Sequence, residues 1–320
     1  MNFQYIVPVE RSKDYLDVAF RKAREKSNKK LEGEWLEKIR RKEMIRLDVI
    51  KDQLTARLDK VVKSFPSLEH LPEFYIKLLK LTLDYGMLRK SLGGVSWAIG
   101  KVRFLHKNYV RQLSKTKDRS KIAKLKNEFY GRISSVVKQI NKELVFLEEC
   151  RKIMRKYPDV KEMFTVCIFG FPNVGKTTLL NKLTGSKAEV AGYAFTTKGI
   201  NSGFLTIKKK DQEDERETEI QFLDVPGTLN RLDKMNDIEK IAYLVVKELA
   251  GIIIYVFDIS GVGYSLKKQE ELLKTLKRNT QHEKILIYLS KTDIVDEKEV
   301  EKFKKKYNVL SLGELKGKLV

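Results

Sequence analysis

A stretch in the middle of the chain, GFPNVGKTTLL at 170–180, most constrains the fold. It follows an apolar, β-branched run, FTVCIFG, and opens a helical one. Gly170 and Gly175 are separated by four residues, and Lys176 and Thr177 come directly after. That spacing, with a strand before and a helix after, is a phosphate-binding loop. Glycine at both positions lets backbone N–H groups turn inward without a clashing Cβ. The helix beginning at Lys176 points its positive end at the same oxygens. Lys176 adds a point charge for the outer phosphates, and the Thr177 hydroxyl is suited to ligate Mg2+.

The rest of the second half has the grammar such a loop requires. Short apolar runs (SGFLTIKK, EIQFLDV, GIIIYVFDIS, KILIYLS) alternate with helical ones. This predicts an α/β fold, a mainly parallel sheet flanked by helices. The charged run KKKDQEDERETE at 208–219 reads as an exposed hairpin turn. Asp224 ends the apolar strand in FLDVPG, where a carboxylate holds the Mg2+ shell through water. Gly227 follows and is placed to present its N–H to a γ-phosphate and to move when that phosphate leaves. Between the two elements lies GYAFTTKGIN, a polar loop of the kind that orders on Mg2+ and γ-phosphate.

The first half reads as helix throughout. Leu47, Ile50, Leu54, Leu58, Val61 and Phe65 step by three and four, one apolar helix face that Pro66 ends. A second run fills about 72–91 and is expected to break at Gly93-Gly94; a third reaches about 113. After the loop SKTKDRS a fourth runs from about 120 to 156, on Ile122, Leu125, Phe129, Ile133, Val136, Ile140, Leu144, Leu147 and Met154. Such stripes predict an all-α bundle, with Trp35 and Trp97 as core or helix-contact residues. The boundary falls in YPDVKEM, where Pro158 ends the long helix, so the expected domains are 1–158 and 159–320.

Charge separates the halves further. Residues 1–160 hold 38 Lys+Arg against 20 Asp+Glu, which accounts for most of the net +22. Within 86–140 the ratio is 14 to 2, the acids being Asp118 and Glu128. A thermophile's solvated surface mixes both signs; this stretch does not, and it reads as the footprint of a polyanion. No apolar run approaches the ~20 residues of a membrane span. The opening MNFQYIVPVERSKD lacks a secretion pattern. Two cysteines, Cys150 and Cys167, are too few for a disulfide framework and read as reduced core thiols. The expectation is a cytoplasmic monomer.

The segments GFPNVGKTTLLNKLTGSKAEVAGYAFTTKGINSG, LDVPGTLNR, NDIEK and GYSL resemble the Obg-like branch of the translation-factor-type GTPases, and most closely the nucleolar GTP-binding protein (Nog) family. That family also carries a helical domain directly before its G domain, so the resemblance covers nearly the whole chain. It implies a P-loop NTPase G domain that binds GTP or GDP. Gly170, Phe171, Pro172, Asn173, Val174, Gly175, Lys176, Thr177 and Thr178 would form the phosphate site. Thr177 and Thr197 would hold Mg2+, with Thr196 as runner-up and Asp224 acting through water; Asp224 and Gly227 would sense the γ-phosphate. Asn173 matches the asparagine that helps place K+ in several related GTPases. Ser290, Lys291, Asp293 and Ser311 would surround the base. The implied role is assembly of the large ribosomal subunit, with ribosomal RNA as the polyanion; an anionic membrane surface is the alternative partner. Thr228 stands where Ras-like enzymes carry a glutamine that orients the attacking water, which implies slow intrinsic hydrolysis and leaves the catalytic residue unassigned. Arg231 reads as a solvated loop arginine.

The base motif departs from the family pattern: LSKTD places Ser290 where asparagine is usual. Asp293 accepts from guanine N1–H and the exocyclic amine, and adenine would leave it unpaired. An ionised acceptor contributes about 1.5–3 kcal/mol, against about 0.5–1.5 kcal/mol for the neutral contacts of the lost asparagine. Guanine preference is therefore expected to survive, with Lys291 laying its stem along the base. In NVLSLGELKG only Ser311-Leu312 can stand for the last base-side loop, and the helix after it is expected to be short.

Overall fold

The computed structural model describes residues 3–28, 32–157, 160–161, 163–185, 201–210, 215–225, 237–280 and 284–319. The chain divides into two compact units: residues 2–71 with 83–155, and 72–82 with 156–320.

The first unit is helical: α1 (Ser12–Lys26), α2 (Trp35–Ser64), α4 (Tyr85–Lys115), α5 (Arg119–Gln139) and α6 (Asn141–Met154). The two long stripes read from the sequence are its core, since every residue of both is buried. Other details differ. Gly93-Gly94 does not break the second run; α4 passes straight through it. The break lies earlier, where the Asp84 carboxylate accepts from the Met87 N–H at 2.8 Å and starts a new helix. A glycine in a helix costs about 1 kcal/mol. The buried face of Leu88, Val95, Ala98, Ile99, Val102 and Leu105 outweighs that cost. The fourth run is two helices, divided at Ile140. Trp35 and Trp97 are not core residues: they are 59% and 49% exposed, and Trp35 lies under the Arg119 guanidinium at 4.8 Å.

The helix α3 (Glu73–Thr82) belongs by packing to the second unit, against α8 (Asp237–Leu249). Phe74, Tyr75, Leu78 and Leu79 are its buried side. Its Tyr75 hydroxyl accepts from the Val160 N–H at 2.9 Å, and Lys77 reaches Glu248 at 2.7 Å.

The second unit is built on five strands: β1 (Thr165–Phe169), β2 (Asn201–Lys210), β3 (Glu215–Asp224), β4 (Ala250–Asp258) and β5 (Ile285–Ser290), in the order β2-β3-β1-β4-β5. The pairs β3–β1, β1–β4 and β4–β5 are parallel; β2 adds an antiparallel edge. The run 208–219 is therefore mostly paired strand and not a turn, since pairing continues to Lys210 opposite Glu215; residues 211–214 lie outside the described residues. Alternation along β4 fills both faces. Ile252, Ile254 and Val256 share a core with α7 (Lys176–Thr184) and α11 (Leu312–Leu319). Tyr255 and Phe257 turn the other way, toward α9 (Leu266–Thr280) and α10 (Glu297–Lys306), where the Tyr255 hydroxyl donates to the Gln269 carbonyl and Phe257 packs on Phe303. A sixth strand is reduced to one bridge, Val309 beside Ile287, and α11 has only eight residues. Cys150 and Cys167 are free and buried, and burial pushes the Cys150 thiol up to about 12.

Candidate functional site

Parallel pairing sets the ends of β1, β3 and β4 side by side, and the candidate site residues follow them. Ile168 of β1 is in register with Asp224 of β3. The loop from Gly170 to Gly175 then turns back into α7. Gly170 has φ +154, and a Cβ there would sit 2.7 Å from the Val256 carbonyl oxygen of β4. Only glycine lets the loop lie so close to the sheet. Asn173 adopts left-handed backbone at φ 64, which asparagine tolerates, and Gly175 caps α7 at φ 91.

The side chains of this loop are already ordered among themselves. Lys176 is buried, and its ammonium donates to the Phe171 carbonyl at 2.8 Å. The Thr177 hydroxyl donates to the Asp224 carboxylate at 2.6 Å. Two residues read separately from the sequence as Mg2+-shell groups are thus in contact. Both offer hard oxygen donors of the kind Mg2+ takes. Phe171 stacks on Tyr264, ring centroids 4.1 Å apart, so the phosphate loop is pinned from the side by the segment after β4. Val174 is buried; Pro172 is half-buried, and Thr178 is exposed on the first turn of α7. Thr196, Thr197 and Gly227, and with them Thr228 and Arg231, lie outside the described residues.

At the end of β5, Ser290 is buried and its hydroxyl faces two carbonyl oxygens, Val174 of the phosphate loop and Phe257 of β4, the latter at 3.0 Å. A Cβ on Gly175 would lie 3.3 Å from the Ser290 Cβ. This hydroxyl ties the base loop to the phosphate loop. Lys291 has left-handed backbone, φ 53, an uncommon conformation for a side chain of this length. Its ammonium pairs with the Asp258 carboxylate at 2.7 Å, so its stem is fixed from below. Asp293 sits exposed on a short turn of 3-10 helix, Thr292–Ile294. Ser311 is occupied elsewhere: its hydroxyl and N–H both donate to the Glu314 carboxylate, at 2.8 and 2.7 Å, capping α11.

Asp258 is the residue that the sequence reading missed. It ends β4 as Asp224 ends β3, and that parallel was the available signal. Its side chain is buried. Burial by itself raises the carboxyl, but the Lys291 ammonium and the Ser260 contacts outweigh it and hold the group below its ordinary value. Gln269 straps the same residue, accepting from its N–H at 3.0 Å and donating to its carbonyl at 2.6 Å.

The comparisons with known proteins match the chain in two parts, the first of which includes the 72–82 segment that packs with the second unit. Residues 3–161 match the NOG1 N-terminal helical domain, and residues 165–291 match the 50S ribosome-binding GTPase family. Uncharacterized protein MJ1408 of Methanocaldococcus jannaschii is 37% identical over 268 residues, 83% of this chain and 73% of that one. Nucleolar GTP-binding protein 1 of Encephalitozoon cuniculi is 28% identical over 92% of this chain and 55% of its own length. That of Drosophila melanogaster is 29% identical over 92% and 44%. The chain thus spans about half the length of the relatives that carry that name. A helical domain joined to a phosphate-loop sheet, matched along nearly its whole length, places this chain in the nucleolar GTP-binding protein 1 family of GTPases.

Proposed function

We propose that the chain binds and slowly hydrolyses GTP as a switch in large-ribosomal-subunit assembly, acting as a cytoplasmic monomer whose basic helical unit docks on ribosomal RNA. The observation that carries the nucleotide half is the 2.6 Å contact between Thr177 and Asp224 beside Lys176. Three groups that a nucleoside triphosphate and its Mg2+ require converge at the end of one sheet. Lys176 and the loop N–H groups would hold the outer phosphates, and Thr177 and Asp224 would hold Mg2+, which supplies positive charge against the phosphate oxygens. Asp293 would select guanine, while Ser290 and Asp258 fix the frame on which the base rests. Thr196 or Thr197 and Gly227 would complete the γ-phosphate response, and Asn173 would help place K+.

The RNA half is supported by the charge of residues 86–140 and by the names of the relatives, nucleolar GTP-binding proteins. The membrane alternative is weakened by packing: the apolar face of α4, which a bilayer would need, is buried in the bundle. No helix among the described residues is long and apolar enough to cross a membrane. The experiment is equilibrium binding of GDP, GTP and ATP to the purified chain, with phosphate release measured in K+ and in Na+, with and without large ribosomal subunits. Guanine preference and subunit-stimulated release are the expected results. Equal binding of ATP would sink the reading of Asp293, equal rates in K+ and Na+ that of Asn173, and release indifferent to subunits the assembly role.

A further inference from the structure

The side of α4 that faces away from the bundle carries two rows at seven-residue steps. One row is Gly86, Gly93, Gly100 and Lys107, and the other is Lys90, Trp97, Phe104 and Arg111; all are exposed. Seven residues bring a helix back to nearly the same side, drifting about 20° each time, so the two rows run together as one seam. Trp97 is 49% and Phe104 55% exposed, a large apolar area for a solvent-facing stripe. Lys101 lies over the Phe104 ring at 5.2 Å. Two of the glycines, Gly93 and Gly100, have no internal reason to be there. A Cβ added at Gly93 or Gly100 would meet nothing within 4 Å, and both have ordinary helical backbone. Glycine is the weakest helix former after proline, so these positions weaken α4 without relieving any contact of the fold. What they provide is a low, bare strip between two standing rings.

We propose that this seam is a docking surface for an unpaired stretch of RNA. Bases stack on Trp97 and Phe104, while the sugar-phosphate backbone passes close over the glycines between the cations. The proposal rests on the reading that the helical unit meets RNA, and it adds the face and the mode of contact. The two rings stand seven residues apart, about 10.5 Å along the helix, too far to hold one base between them. They therefore take two bases, separated by about three stacking steps of 3.4 Å. Paired RNA hides its base faces, so the aromatics select loops, bulges and single strands.

Other occupants fit less well. A second copy would bring Lys90, Lys107 and Arg111 against the same cations in a self-complementary contact. A bilayer helix keeps its cations and its large apolar residues on opposite faces, whereas here they share one. A bare polyanion would match the charge but leave the rings unused.

The test uses the full chain with Trp35→Phe, which leaves Trp97 as the sole tryptophan and therefore a local fluorescent reporter. A short mixed-sequence RNA strand should quench Trp97 emission; an RNA duplex and heparin should bind with little quenching. Trp97→Ala with Phe104→Ala, read by RNA retention rather than fluorescence, should weaken single-strand binding by about tenfold to a hundredfold and duplex binding far less. Gly93→Leu with Gly100→Leu should weaken single-strand binding while raising the thermal midpoint, which separates a blocked surface from a damaged fold. Equal quenching by heparin, or strand binding without quenching, overturns the stacking mode and leaves the polyanion reading standing. Failure to bind any RNA removes the proposed function itself. Self-association in sedimentation that protects Trp97 assigns the seam to a second copy, and quenching by anionic vesicles alone assigns it to a membrane; either result overturns the proposal.

Discussion

Glycine serves opposite ends in the two units. In the phosphate loop, Gly170 and Gly175 have positive φ and are pressed from within, by the Val256 carbonyl and by Ser290. In α4, Gly93 and Gly100 have ordinary backbone and empty space beside them. The first pair is required by the fold itself. The second is indifferent to the fold and is explained by what approaches from outside. A glycine's neighbours, more than its presence, thus tell whether it serves the chain or a partner.

The comparison can be broken first at Gly170. Gly170→Ala forces a Cβ into the Val256 carbonyl in a backbone region unfavourable to alanine, so a loss of about 3 kcal/mol is expected. Calorimetry and GDP titration should show a lowered thermal midpoint together with lost nucleotide affinity; an unchanged midpoint would mean that the loop has room it does not show. Next, reversing Lys101, Arg103, Lys107 and Arg111 should cut RNA or subunit affinity by about a hundredfold at moderate salt and flatten its salt dependence. GDP affinity should stay as it was, and a joint collapse would show that the two units do not act separately.

Ser290 sharpens the comparison at a smaller scale. Ser290→Ala removes the one hydroxyl proton that lies between the Val174 and Phe257 carbonyls in a buried place, with an expected loss of about 1 kcal/mol in stability and about fivefold in GDP affinity. Ser290→Asn keeps a donor at that place and should tighten GDP without altering guanine preference. Asp258 gives a pH signature. Its carboxyl is held below its ordinary value, so the folded state binds fewer protons than the unfolded state between the two values. The contribution of the Asp258–Lys291 pair is therefore complete above about pH 4 and lost as pH falls through the lowered folded value. Asp258→Asn should remove that part of the acid dependence of unfolding. The smallest effect is Gly93→Ala, expected to stabilise α4 by about 0.5–1 kcal/mol in thermal unfolding, opposite in sign to Gly170→Ala.

These contrasts also show what was legible beforehand. The phosphate loop could be read because its chemistry demands particular residues at fixed intervals, and the sheet because strands buried on both faces are written as unbroken apolar runs. The Gly93-Gly94 break was misread because local propensity is weak beside a long buried face. The exposure of Trp97 was missed because its position on the helix, not its hydrophobicity, decides burial. The place of the Ser290 hydroxyl, between two carbonyls, could not be read because it depends on the folding together of three separate segments. Asp258 was overlooked because its partner, Lys291, lies 33 residues away and meets it only across the β4–β5 pair.

The placement of α3 has a consequence for how the chain is made. The polypeptide passes from one unit to the other at residue 72, back at 83, and again at 156, so no single cut separates them. As the chain is synthesised, Phe74, Tyr75, Leu78 and Leu79 emerge well before α8, the helix that will cover them. Until then a greasy patch stands uncovered on the nascent chain. The nucleotide unit is complete only once a segment made early has met one made late.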